Sequence, residues 1–88
     1  MDLLDALTAF VRTAERGGFA AAARDLNVSQ PHVTRALQQL EARLGAKLLY
    51  RTTRRVTLTD EGQEYLEHAR QILAAVDRAD SAVGERAR

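Results

Sequence analysis

The strongest constraint on this chain is the stretch from Phe19 to Leu44, whose residues predict two helices joined by a tight turn. Phe19, Ala22, Ala23 and Leu26 fall at i, i+3, i+4 and i+7, one apolar stripe whose alanines let a second helix come close. Asn27 tolerates the left-handed backbone that ends a helix, and Ser29 is an N-cap whose hydroxyl can accept from a free backbone N–H. Pro31 falls in the first turn of the second helix, where its missing N–H costs nothing. From there Val33, Ala36, Leu37, Leu40 and Leu44 make an inward stripe, and Gly45 closes the helix. His32, Thr34, Arg35, Gln38 and Gln39 face elsewhere, a side rich in donors and acceptors but almost without charge pairing. A helix that reads base edges has that character, and the whole is the pattern of a helix-turn-helix.

The flanks complete a mainly α fold. Leu3, Leu4, Leu7, Phe10, Val11 and Ala14 define one side of a first helix, with Asp2, Asp5, Arg12, Glu15 and Arg16 opposite and Gly17-Gly18 at its end. Phe10 and Phe19 read as interior, the usual place of apolar residues at helical spacing. After Gly45, residues 47–52 and 55–58 read as two short strands joined near Thr53-Arg54, a ribbon that is stable only when packed on the helices. Arg51, Arg54 and Arg55 sit at or beside its tip. A ribbon at this distance after a recognition helix is the wing of a winged helix-turn-helix. Thr59 then caps a last helix, with Asp60 and Glu61 in its first turn complementing the dipole.

That last helix carries a seam. Tyr65, Ala69, Ile72, Val76, Ala79 and Val83 repeat in steps of four and three, and Leu66 and Leu73 widen the stripe. So small a body has too little surface to cover so long an apolar face, so the seam predicts a homodimer; packing on the first helix alone is the alternative. Parallel and antiparallel pairings both fit these steps. From Thr59 to Val83 the helix spans about 37 Å, close to the roughly 34 Å of one duplex turn. The expected organisation is a winged helix-turn-helix over 1–58, with the helix-turn-helix at about 19–38, the recognition helix at about 30–44 and the wing at about 47–58. A linker and dimerisation helix over 59–88 follows.

Charge sharpens the functional reading. The total of +1 says little, but residues 30–58 hold Arg35, Arg43, Lys47, Arg51, Arg54 and Arg55 against Glu41 alone, while the segments on either side are net acidic. A cationic middle between acidic ends points to one face meeting a polyanion. There is no Cys, hence no disulfide or thiolate metal site, which suits a reducing cytoplasm. No apolar run approaches the roughly 20 residues of a membrane span, and the acidic start Met1-Asp2-Leu3-Leu4-Asp5 does not read as a signal peptide. With only His32 and His68, and no glycine-rich phosphate loop, there is little material for an enzyme, a metal site or a cofactor. An adaptor that binds protein through its winged helix is the other alternative, and it would be expected to expose an apolar patch where this chain is polar and cationic.

The blocks from Ala22 to Thr34, Leu40-Glu41, Leu44-Gly45, Leu48-Leu49-Tyr50-Arg51-Thr52 and Leu58-Thr59-Asp60-Glu61-Gly62, in this order and spacing, resemble the DNA-binding region of LysR-type transcriptional regulators. The likeness runs from about Leu3 into the last helix. Departures are few: Leu49 stands where Phe is common, Ala20 where Ser or Thr is, and His32 where a small residue or Pro is. The resemblance implies contacts with double-stranded DNA at Gln30, Pro31, His32, Thr34 and Arg35 and at the wing residue Arg54, antiparallel linker helices, and a separate effector-binding domain outside these residues. On that reading Gly84-Glu85-Arg86-Ala87-Arg88 is a hinge and the chain a DNA-binding fragment, with a natural truncated product as the alternative.

The residues give the same assignment on chemical grounds. Ser29 caps the recognition helix and, with the helix N-terminus, can lie beside a phosphate. Gln30 can pair bidentately with adenine; Thr34 can bond a base or touch a thymine methyl; Arg35 suits guanine, or a phosphate instead. Pro31 offers van der Waals contact, and His32 can donate to a guanine acceptor or a phosphate, or be simply solvated. Gln38 and Gln39 lie nearer the sugar-phosphate chain. Among the wing cations Arg51, Arg54 and Arg55, Arg54 is best placed for the minor groove or a phosphate, the alternative being an edge hairpin kept soluble by charge. An interrupted dyad is the expected target of such a dimer.

Overall fold

Why α1 (Leu3–Arg16) sits at the centre is visible from its burial: Ala6, Leu7, Ala9, Phe10, Val11 and Thr13 are all buried, so partners cover it on more than one side. In the computed structural model, which describes residues 2–51 and 55–87, those partners are α2 (Phe19–Leu26), α3 (Gln30–Leu44) and α4 (Asp60–Arg86). Between α3 and α4 lie β1 (Leu49–Arg51) and β2 (Val56–Leu58), an antiparallel pair with Leu49 opposite Leu58, Tyr50 opposite Thr57 and Arg51 opposite Val56. The core joins Phe10, Leu7, Val33, Ala36, Leu37, Leu40, Leu48 and Leu49 to Leu66 and Ala69 of α4.

Local chemistry places the boundaries. Asn27 adopts φ 58°, ψ 47°, and its left-handed turn returns the N–H groups of Asn27 and Val28 to the α2 carbonyls of Arg24 and Ala23. Ser29 Oγ accepts from His32 N at 3.2 Å, Pro31 lies in the first turn of α3, and Gly45 ends that helix at φ 66°. Thr59 Oγ1 accepts from Gly62 N at 2.9 Å and opens α4. One cap was not expected: Asp2, placed on the polar face by its sequence position, accepts from Asp5 N through Oδ1 at 2.8 Å and starts α1.

Several packing expectations are corrected. Leu44 is 38% exposed and not part of the inward stripe, because α3 has by then run past the body it packs against. Leu3 and Leu4 are also exposed, in the first turn of α1, where a helix end projects from its neighbours. Thr13 lies inside instead; its hydroxyl donates to Ala9 O at 2.7 Å and so carries no unmet hydrogen bond. The strands are shorter than the segments read for them, and the connection near Thr53-Arg54 lies outside the described residues.

The seam on α4 divides. Leu66 and Ala69 are buried within this chain, Tyr65 and Leu73 are half-buried against it, and the Tyr65 ring meets Phe10 with centroids 5.9 Å apart. Arg70 adds a bond to Glu15 of α1 at 3.3 Å. Packing on the first helix, the alternative reading, therefore describes the proximal half. Ile72 is 42% exposed, and beyond Val76 every described residue is exposed, Val83 at 66%. No helix among the described residues is long and apolar enough to cross a membrane.

Candidate nucleic-acid interface

The start of α3 is presented by its packing. Val33, Ala36, Leu37 and Leu40 are buried, which turns the opposite side outward: Gln30, Pro31, Arg35, Gln38 and Gln39 are exposed. His32 and Thr34 are half-buried at the edge of this face. Thr34 Oγ1 donates to Gln30 O at 3.2 Å, so its proton is engaged with the helix and its lone pairs remain for an incoming donor. Ser29 is fixed as the cap.

The wing approaches the same end. Leu49 is buried, and Arg51, two residues on, lies on the same strand face, its guanidinium 5.0 Å from the centroid of the Phe19 ring. Phe19, read from sequence as plain core, is half-buried and supports a cation of the candidate interface. A groove of about 460 Å³ brings together Gln30 of α3, Arg16 and Arg24 from α1 and α2, and Arg51 and Arg55 of the wing. A smaller recess of about 30 Å³ joins Thr34 and Gln38 to Arg51. Of the residues chosen from sequence, the structure thus gathers Gln30, Thr34, Gln38, Arg51 and Arg55 around the junction of α3 and the wing. Ser29, Pro31, His32 and Arg35 continue along the start of α3, and Arg54 lies outside the described residues.

Ion pairs hold some of the cations and leave others without one. Arg12 and Arg16 bond Asp25 at 3.3 Å each, and Arg70 bonds Glu15, all on α1, α2 and α4. Arg24, Arg35, Arg43, Lys47 and Arg51 take part in no ion pair among the described residues. The one acid of residues 30–58, Glu41, makes no ion pair with them: its Oε2 accepts from Leu48 N at 2.8 Å and Leu49 N at 3.4 Å. Arginines left unneutralised around an exposed helix start can bind the phosphates of a polyanion, and no group of three metal-ligating side chains exists among the described residues. Arg24 was not singled out from sequence, and Lys47 only as one cation of a basic segment; their lack of an ion pair is a three-dimensional fact. Glu41 stands out in sequence as the only carboxylate of a cationic segment, but the amides it holds do not.

Residues 4–63, more than half of the chain, match the family model described as "Bacterial regulatory helix-turn-helix protein, lysR family". The chain belongs to the LysR family. A LysR relative, an HTH-type transcriptional regulator of Xanthomonas campestris pv. campestris (strain 8004), is 49% identical over 84 residues, which are 96% of this chain and 24% of the relative. TfdT, an HTH-type transcriptional regulator of Cupriavidus pinatubonensis, is 51% identical over 70 residues, 80% of this chain and 31% of that protein. The chain therefore spans about a quarter to a third of the length of these curated relatives. Among solved structures, the CbnR DNA-binding domain in complex with DNA superposes with a TM-score of 0.91 at 44% identity, covering 100% of both chains. The BenM DNA-binding domain with catB site 1 DNA gives 0.92 at 37% identity, covering 99% of this chain and 97% of that one. The winged helix-turn-helix fold is thus the DNA-binding-domain fold of LysR-type regulators, a family of transcriptional regulators and not of enzymes.

Proposed function

We propose that this chain is the DNA-binding part of a homodimeric LysR-type regulator that acts in the bacterial cytoplasm on double-stranded DNA with an interrupted dyad. The observation that carries the reading is the exposed start of α3 with Arg24, Arg35 and Arg51 about it in no ion pair among the described residues, whereas Arg12, Arg16 and Arg70 are paired. The start of α3 enters the major groove, where Gln30, Thr34 and Arg35 meet base edges, Pro31 and His32 extend the contact, and Ser29 and Gln38 lie by the backbone. The wing cations Arg51, Arg54 and Arg55 take the adjacent minor groove or its phosphates, with Arg54 the strongest candidate. Two copies join through the distal half of α4, and any small-molecule effector acts through a domain outside this chain. The CbnR and BenM domains, solved with DNA, support this reading by their likeness.

Binding here needs no chemistry: phosphate neutralisation supplies affinity, and a few side chains with the deformability of the duplex supply selectivity. If six to eight phosphates are neutralised per dimer, log K falls against log salt with a slope of roughly −5 to −7. A slope near zero in a salt titration of gel shifts would remove the polyanion reading, and failure to shift random duplex at low salt would favour a protein-binding adaptor. Arg35→Ala should weaken binding by about 1–3 kcal/mol and relax preference at one base position. In vitro selection of bound duplexes checks this; equal loss on selected and random DNA would assign Arg35 to phosphate instead.

A further inference from the structure

We propose that Glu41 is a positioning residue for DNA selectivity: it ties the wing to the recognition helix and sets how the wing meets the duplex, without touching DNA itself. The inference rests on the wing reading above. Glu41 lies on α3, one turn before its end, and its Oε2 accepts from both Leu48 N and Leu49 N, at 2.8 and 3.4 Å. Leu49 is the first residue of β1, so one carboxylate fixes where the wing begins relative to the helix that reads bases. The other side of the same segment is held by α4: Thr59 N donates to Leu48 O at 3.0 Å, and Thr59 Oγ1 donates to Lys47 O at 2.6 Å. Four backbone groups of residues 47–49 are thus claimed by two neighbouring helix ends, with Glu41 the only tie from the recognition helix to those amides among the described residues.

The geometry carries forward along the strand. Leu49 and Arg51 share a face by the two-residue period, so the orientation fixed at Leu49 also sets Arg51 over the Phe19 ring. Charge points the same way. A carboxylate in a cationic segment opposes phosphate binding, yet Glu41 is the one acid between residues 30 and 58. Its contribution is therefore geometric. The buried Leu48 and Leu49 side chains anchor the segment independently, so removing the carboxylate should leave the fold standing while the wing loses its fixed attitude.

The test is in vitro selection of duplexes with the whole chain, comparing wild type, Glu41→Met, Glu41→Gln, Arg54→Ala and Arg35→Ala. Arg54→Ala identifies the outer positions read by the wing, and Arg35→Ala an inner position read by α3. Glu41→Met, which keeps the stem but has no oxygen acceptor, should lower preference at the outer positions by about 2- to 30-fold and leave the inner one unchanged. Glu41→Gln, whose Oε1 still accepts, should keep the outer preference. Partial unfolding lowers the yield of bound DNA without altering a positional profile, so stability loss does not imitate this pattern. Should Glu41→Met not fold, Glu41→Asp, too short to reach both amides, is expected to show the same outer loss. Outer preference retained in the Met or Asp variant, or lost equally in the Gln variant, overturns the proposal. If Arg54→Ala alters no position, the wing reading falls first and takes this one with it.

Discussion

Gly62→Ala should lower the melting temperature by roughly 8–16 °C, although alanine is the better helix former. Gly62 lies in the first turn of α4, where the base of the wing presses on the helix. A Cβ there would fall inside contact distance of the Leu48 carbonyl oxygen, 2.9 Å from its carbon and 3.2 Å from Leu58 Cδ2. Helix propensity favours alanine by about 1 kcal/mol. Overpacking typically costs about 1–3 kcal/mol, and backbone yields less readily than a side chain. Moving Leu48 O also disturbs its bond from Thr59 N, so a net loss near 2 kcal/mol is expected, at about 4–8 °C per kcal/mol for a domain of this size. Calorimetry or thermal circular dichroism reads the effect directly. An unchanged or raised melting temperature would mean that the wing base does not rest on α4.

The second large effect concerns association. Ile72→Asp combined with Val83→Asp should yield a monomer that keeps its fold, because both side chains are exposed in the single chain. Joining two half-site readers raises overall affinity by about 10²–10⁴ over one reader, so binding to a two-half-site duplex should fall by that order while binding to an isolated half-site barely changes. Light scattering gives the mass and gel shift the affinity. A double variant that remains dimeric would move the interface elsewhere. The contrasting substitution is Ala69→Asp: Ala69 is fully buried within the chain, so it should unfold the protein before it says anything about pairing.

What the sequence disclosed, and what it withheld, follows the range of the forces involved. Caps and turns act over three or four residues, and Asn27, Ser29, Gly45 and Thr59 are each found in the role their chemistry suggests. The stripe of α3 was readable as far as Leu40, and it failed at Leu44, because periodicity cannot tell where a helix outruns its partner. The same blindness applied to α4: one continuous seam in sequence serves two surfaces, Leu66 and Ala69 facing this chain's core and Ile72 and Val83 facing outward. Thr13 and Gly62 were passed over since only the neighbouring elements make a buried hydroxyl or a missing side chain necessary. At the candidate interface the residue types on α3 were legible, whereas the ring beneath Arg51 and the amides held by Glu41 depend on contacts between separate elements.

The free stretch of α4 acts as a lever whose pivot lies near Leu73 and Val76, where the helix leaves the core. From Val76 to Arg86 the helix reaches about 15 Å, so a tilt of about 10° at that pivot displaces the far end by about 3 Å, close to one base-pair step along a duplex. Agreement between two joined heads and the spacing of their half-sites is therefore decided less at the tips that meet than in the contacts that seat the proximal half, the Tyr65 ring on Phe10 and the Arg70–Glu15 bond.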